Sequence, residues 1–289
     1  MKHLFITDLD GTLLNPQGVI SPQSAHIISQ LSSQGVAITV ATARTPATVE
    51  PLLTDTTTNV PAIVITGAAL WDRASQQYIS TRFFPQPLAR AAWQCCLSHG
   101  LRPFIYTLGD DTTTLHTIFC GTPTPSEQDF IDARTGNPLK QFHILAHPVP
   151  PGARTLLLFA IGSKDTINAA AGELRHLGCA VSAYPDTYTD HLYFLEVFAP
   201  GVSKAAAVLQ LKQMLGAEKV TVFGDNLNDL PMMEAADTAV AVQNALPQVR
   251  SHAHVVIGPN SANSVAKYIL EQTAQHIQAL DTAHPGIMQ

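Results

Sequence analysis

The sequence predicts an α/β protein: a doubly wound, Rossmann-like parallel sheet core carrying an inserted α+β domain. Three observations lead there. Near-continuous apolar runs alternate with helical patterns in the first third of the chain, and the same alternation returns in the last third. Between them lie paired strands of a different, amphipathic kind. Unbroken apolar strands are typical of parallel sheets covered on both faces, and strand-helix alternation is the mark of the doubly wound architecture.

The elements follow in order. Residues 3–7 read as a strand that runs straight into "DLDGT". "SPQSAHIISQLSSQG" reads as a helix, with Ser21 as N-cap, Pro22 in the first turn and Gly35 at the stop. "VAITVATAR" and "PAIVITG" are two further strands. In the last third, "SKAAAVLQLKQMLG" is a helix capped by Ser203 and ended near Gly216, followed by the strands "KVTVFGD", "TAVAVQ" and "HVVIG".

From about Phe84 to Asp190 the pattern changes. "RPFIYTL" pairs with "HTIFCG" and "RTLLLFAIG" with "HLYFLEVF", while "PLARAAWQCCLSHG" and "DTINAAAGELRHLG" are helical. Loops rich in Pro and Thr separate them. The expected organisation is a first core segment at 1–82, an insertion at 83–189 and a second core segment at 190–289. The final "TAHPGIMQ" has no pattern and is expected to fray.

Composition narrows the function. With 46% hydrophobic and 13% charged residues, the chain easily builds a core. A net charge of -6 argues against a nucleic-acid binder, which would carry a basic stripe. No apolar run approaches a membrane span, and "MKHLFITDLDG" is not a secretory signal. Cys95, Cys96, Cys120 and Cys179 show no CxxC spacing. They read as buried thiols of a cytoplasmic protein, with no structural zinc expected.

Four short stretches end core strands or begin core helices: Asp8-Leu9-Asp10-Gly11-Thr12, Thr42-Ala43-Arg44, Gly201-Val202-Ser203-Lys204, and "GDNLNDLPMM" from Gly224. Ligands in such sheets bind outside the carboxyl ends of the strands, so the four can meet. Their chemistry suits one reaction. A carboxylate attacks a phosphate ester, and water then breaks the aspartyl-phosphate. Two anions meet, so positive charge is needed, from a carboxylate-held Mg²⁺ and from a lysine. A hydroxyl and backbone N–H groups can hold the phosphoryl oxygens, and a second acid serves the leaving group and the water. Asp8, Asp10, Thr42, Lys204, Asp225 and Asp229 provide these parts.

On these motifs the chain resembles the haloacid dehalogenase superfamily of phosphatases, specifically the Cof-type hydrolases with a large α/β cap. DxDGT is Asp8 to Thr12. The Thr ending the next strand is Thr42, followed by Arg44 with Ala43 in place of the usual Gly. The lysine after Gly-Val-Ser is Lys204, and GDxxND is Gly224 to Asp229. The resemblance implies Asp8 as nucleophile and Asp10 as general acid/base. It implies Mg²⁺ on Asp8, the Asp10 carbonyl and Asp225, with Asp229 in support through water or Lys204. Thr42, Lys204 and Asn228, with Leu9, Ala43 and Arg44, would hold the phosphate. The implied partner is a small phosphorylated metabolite, such as a sugar phosphate, under a cap formed by the insertion. Two departures stand out: Thr66-Gly67-Ala68 where the family often has Asn-Gly, and Ala205 where Gly often follows the lysine.

Other residues read as structural. His143 and His147 have helical zinc-ligand spacing, but no Glu follows His143 and Pro148 follows His147. His252 and His254 enter a strand, Glu196 lies at an interface or site rim, and Trp71 and Trp93 pack. Two other functions fit parts of the pattern. A phosphomutase would return the phosphoryl group to substrate. A receiver-type phospho-acceptor module also uses Asp, Thr and Lys around Mg²⁺, but it lacks GDxxND and an insertion.

Overall fold

The computed structural model describes residues 2–186 and 191–283, with backbone alone over 276–283. The expected junction at 189/190 lies outside the described residues; of the expected frayed tail 282–289, residues 282–283 continue the last helix and the rest lie outside the described residues. In chain order the strands are β1 (His3–Thr7), β2 (Ala37–Val40), β3 (Ala62–Val64), β4 (Ala69–Asp72), β5 (Gln77–Thr81), β6 (Phe104–Leu108) and β7 (Leu115–Cys120). Then come β8 (Lys140–Leu145), β9 (Thr155–Gly162), β10 (Ala180–Pro185), β11 (Tyr193–Phe198), β12 (Lys219–Gly224), β13 (Thr238–Val242) and β14 (Val255–Ile257). The chain forms two compact units: residues 1–44, 48–67 and 204–289 in one, and 45–47 with 68–203 in the other.

The first unit is built on a parallel sheet in the order β14-β13-β12-β1-β2. β1 lies inside this order, so both its edges are paired, with Thr7 beside Phe223 on one side and Val40 on the other. Its apolar residues Leu4, Phe5 and Ile6 are buried, which is why the run is unbroken. The helix Pro22–Ser33 begins as its sequence demands: the Ser21 hydroxyl accepts the Ser24 N–H at 3.1 Å. It packs against the helix Ser264–Ala283.

"PAIVITG" was expected to stay extended to its end, but the strand stops at Val64. Ile65 and Thr66 turn into the left-handed region, with φ of 52° and 55°. For β-branched residues that conformation costs about 1–2 kcal/mol each. Two hydrogen bonds hold the turn: the Ile65 N–H donates to the Arg44 carbonyl and the Thr66 N–H to the Thr42 carbonyl, both at 3.0 Å. The departure from Asn-Gly therefore falls on a backbone position that Asn adopts more readily than Thr.

The second unit carries a six-stranded sheet in the order β10-β11-β9-β6-β7-β8, antiparallel except between β7 and β8. Both strand pairs read from the sequence are present, with Ile105 beside Ile118 and Leu158 beside Val197. The helices Gln86–Ser98 and Lys164–His176 pack on this sheet and on each other. β4 and β5 form a hairpin in which Trp71 meets Tyr78 edge to face. Trp71 is fully buried and is a packing residue.

Candidate active site

The site forms where β1, β2 and β12 end. The Asp8 N–H donates to the Phe223 carbonyl at 3.0 Å, so Asp8 is one more rung of the β1–β12 ladder. The chain then leaves the sheet through a wide turn, closed by bonds from Leu13 N–H to the Asp8 carbonyl and from Leu14 N–H to the Leu9 carbonyl. Gly11 makes this turn with φ of +79°. A Cβ there would also stand 2.3 Å from Asp225 Oδ2. Only glycine meets both demands.

Four charged side chains converge on this turn. Lys204 opens the helix Lys204–Leu215, and its buried ammonium donates to Asp8 Oδ1 at 2.5 Å and to Asp229 Oδ1 at 2.8 Å. Asp229 is fully buried, and its Oδ2 accepts the backbone N–H groups of Asp225 and Asn226 at 3.1 and 3.2 Å. Gly224 leaves room for it, since a Cβ there would come within 2.6 Å of the Asp229 Cβ. Asp225 Oδ1 accepts the Thr12 hydroxyl at 3.0 Å. Oxygens of Asp8, Asp225 and Asp229 lie within 4.8 Å of one another.

Three carboxylates around one ammonium leave the cluster short of positive charge. Burial, with Asp229 and Asp225 adding repulsion, raises the Asp8 pKa even though Lys204 pulls the other way. Burial and Asp229 likewise push Asp225 up to about 6. For Lys204, burial alone would lower the pKa, but Asp8 and Asp229 outweigh it and hold the ammonium charged. Every shift favours one more cation in the cluster. An all-oxygen donor set of clustered carboxylates suits a hard divalent ion.

Asp10 is placed differently. Its carboxylate takes a bidentate bond from Arg44, Nε to Oδ2 at 2.8 Å and Nη2 to Oδ1 at 2.6 Å. It is outside the three-carboxylate group, and its side chain is 56% exposed. An ion pair this exposed contributes about 0–1 kcal/mol, so Asp10 can exchange Arg44 for a substrate at little cost.

Thr42 is buried just past β2, where its hydroxyl oxygen accepts the Arg44 N–H at 3.1 Å and keeps its own hydrogen to donate. Leu9 is buried and Ala43 half-buried, so only their backbone N–H groups can serve an anion. Asn228 is exposed on the short turn Leu227–Asp229.

Two positioning residues went unmarked in the sequence. Asn244 donates from Nδ2 to the Gly11 carbonyl at 2.7 Å. Asn260 donates its N–H to Asn244 Oδ1 and its Nδ2 to the Leu14 carbonyl. Asn244 lies just beyond β13, the same strand-end location that singled out the other motifs.

The bland candidates take other places. His143 sits on β8, which ends at Leu145, and His147 lies beyond the strand, so the helical spacing that suits two zinc ligands does not apply. Its Nε2 instead meets His116 Nδ1 at 2.9 Å. The His254 Nδ1 accepts the Ala239 N–H at 2.9 Å, a structural bond. Glu196 is buried on β11 and accepts the Tyr184 hydroxyl at 3.1 Å.

Comparison with known proteins places this geometry. Residues 5–269 match the model of the family described as haloacid dehalogenase-like hydrolase. A 5-amino-6-(5-phospho-D-ribitylamino)uracil phosphatase of Bacillus subtilis is 27% identical over 289 residues, covering 93% of this chain and 97% of its own. A pyridoxal phosphate phosphatase of Escherichia coli is 25% identical over 278 residues, covering 91% and 95%. The crystal structure of a haloacid dehalogenase-like hydrolase from Bacteroides thetaiotaomicron superposes with a TM-score of 0.70 at 20% identity, covering 94% and 99%.

Proposed function

The chain belongs to the haloacid dehalogenase-like hydrolase family, and on that premise we propose that it is a Mg²⁺-dependent phosphatase, hydrolysing a small phosphorylated metabolite through an aspartyl-phosphate. The observation that carries the reading is Asp8: a strand-end carboxylate, bonded to a buried ammonium and flanked by two more carboxylates. The two named relatives both act on phosphate esters of small heterocyclic compounds, which supports the substrate class.

The steps follow from the side chains. A carboxylate oxygen of Asp8 attacks phosphorus as the ester oxygen leaves, and Asp10 gives that oxygen its proton. Lys204, the Thr42 hydroxyl, Asn228 and the N–H groups of Leu9 and Ala43 receive the phosphoryl oxygens, while the Arg44 N–H orients Thr42. Asp10, now a base, takes a proton from water, whose oxygen attacks phosphorus and releases Asp8 and inorganic phosphate. Asp8, Asp225 and the Asp10 carbonyl, backed by Asp229, would hold Mg²⁺, which supplies the positive charge that the cluster lacks.

Substrate choice is assigned to the inserted segment. Exchanging it for that of a related enzyme should change which ester is cleaved and leave the metal requirement alone. The partner is a small molecule rather than a nucleic acid, in keeping with the net charge of -6. A cytoplasmic location accords with four free cysteines. Among the described residues no helix is long and apolar enough to cross a membrane.

The test is a panel of phosphorylated metabolites incubated with Mg²⁺, reading released phosphate, with mass spectrometry of an Asp10→Asn variant for phosphoryl trapped on Asp8. Hydrolysis that stops on chelation is expected. Undiminished activity in excess EDTA, or phosphoryl found on another residue, would overturn the reading. Transfer to a second sugar instead of water would identify a mutase.

A further inference from the structure

The second unit holds a group of donors with no part in that chemistry. Cys95 lies in the last turn of the helix Gln86–Ser98, and His99 follows four residues on, on the same face. Glu173 comes from the neighbouring helix Lys164–His176. The Cys95 sulfur, a ring nitrogen of His99 and a carboxylate oxygen of Glu173 all lie within 4.8 Å of one another. His99 Nε2 and Glu173 Oε2 are 2.9 Å apart.

The group is graded from inside to outside. The thiol is buried, the imidazole half-buried, and the carboxylate 55% exposed. One sulfur, one nitrogen and one oxygen thus converge with their open side toward solvent. Tetrahedral zinc, with ligands at about 2.0–2.3 Å, sets its donors about 3.3–3.8 Å apart. A thiolate selects zinc or cobalt over magnesium, so this group and the all-oxygen cluster at Asp8 favour different metals.

We propose that Cys95, His99 and Glu173 form a zinc site, with water as the fourth ligand. Burial and the charge of Glu173 push the Cys95 thiol up to about 11, so the metal-free thiol carries its proton at neutral pH. On binding, a sulfur–zinc bond replaces the S–H bond and the proton goes to solvent. The metal ties the C-terminal end of one helix to the other, a clasp within the second unit.

Cobalt provides the test, because a thiolate bound to Co²⁺ gives a charge-transfer band in the near ultraviolet and oxygen ligands do not. The full chain, stripped with chelator, is titrated with Co²⁺. One equivalent should raise the band, Zn²⁺ should bleach it, and excess Mg²⁺ should leave it. The band should persist in Asp225→Asn, which disables the carboxylate cluster, so failure of the phosphatase reading leaves this result untouched. Cys95→Ser should abolish it. Glu173→Gln, at an exposed helix position where folding is not at stake, should weaken Co²⁺ binding beyond about a hundredfold, more than loss of an outer-shell partner. No band in the unaltered chain would overturn the proposal. So would a band that survives Cys95→Ser but is lost with Cys96 or Cys179, or Co²⁺ affinity unchanged in Glu173→Gln.

Discussion

The Lys204 ammonium donates to Asp8 Oδ1 over 2.5 Å, with the two side chains only 1% and 9% exposed. The same ammonium is the cation nearest Asp229, whose side chain is fully buried. Removing one partner of a buried pair leaves the other charge uncompensated, at about 3–5 kcal/mol. Lys204→Met should therefore lower the unfolding free energy by that amount in chelator, measured by urea denaturation. Added Mg²⁺ should restore part of it, because a second cation serves the same carboxylates. A loss below about 1 kcal/mol would mean the pair is not the cluster's main compensation.

Asp8→Asn keeps the shape and removes both the proposed nucleophile and one crowded negative charge. Turnover should fall by at least about 10⁴-fold, the scale of losing a covalent nucleophile. The thermal midpoint should not fall, since burial and neighbouring carboxylates already disfavour the Asp8 charge. A variant keeping more than about one percent of activity would show that another group attacks the ester.

Gly11→Ala forces a side chain into a backbone at φ +79° and places a Cβ 2.3 Å from Asp225 Oδ2. The backbone alone should cost about 1–2 kcal/mol. Asp225 must also leave the Thr12 hydroxyl. The Mg²⁺ concentration for half-maximal activity should rise at least about tenfold, as when a ligand loses its orienting partner. An unchanged Mg²⁺ titration would remove Asp225 from the metal set.

Lys140 offers a pH signature in the second unit. It is buried, donates to the Tyr106 hydroxyl at 3.0 Å and lies over the rings of Tyr106 and Phe142. Burial, and then the charge of Arg134, lower its pKa from 10.5 to about 7. Between those values the unfolded chain holds a proton that the folded chain lacks, so this group makes stability rise with pH across the window. Lys140→Met should be most stabilising relative to the parent at pH 7 and below, and lose that advantage as pH approaches 10.5. Urea midpoints of both proteins measured across the window check this. A constant difference would mean that Lys140 stays charged in the fold.

Much of the site was legible because its parts are local. The carboxylates of "DLDGT" and "GDNLND" follow apolar strands directly, and strand ends are where doubly wound sheets place ligands. The helices declared themselves through Ser21 and the other caps, and the paired strands of the second unit through alternation. The missing parts are those that sequence distance hides. Asp8 and Lys204 are 196 residues apart, Gly11 and Asn244 are 233 apart, and His99 and Glu173 are 74 apart. A local pattern marks a residue as a candidate, and the fold brings the candidates Asp8, Asp225 and Asp229 together. Which side chain each one faces is set by the order β14-β13-β12-β1-β2 and by the packing of two helices, and no local pattern contains either. The left-handed Ile65 and Thr66 make the same point from the backbone: propensity argues for a strand to Gly67, but two long-range hydrogen bonds to the Thr42 loop overrule it.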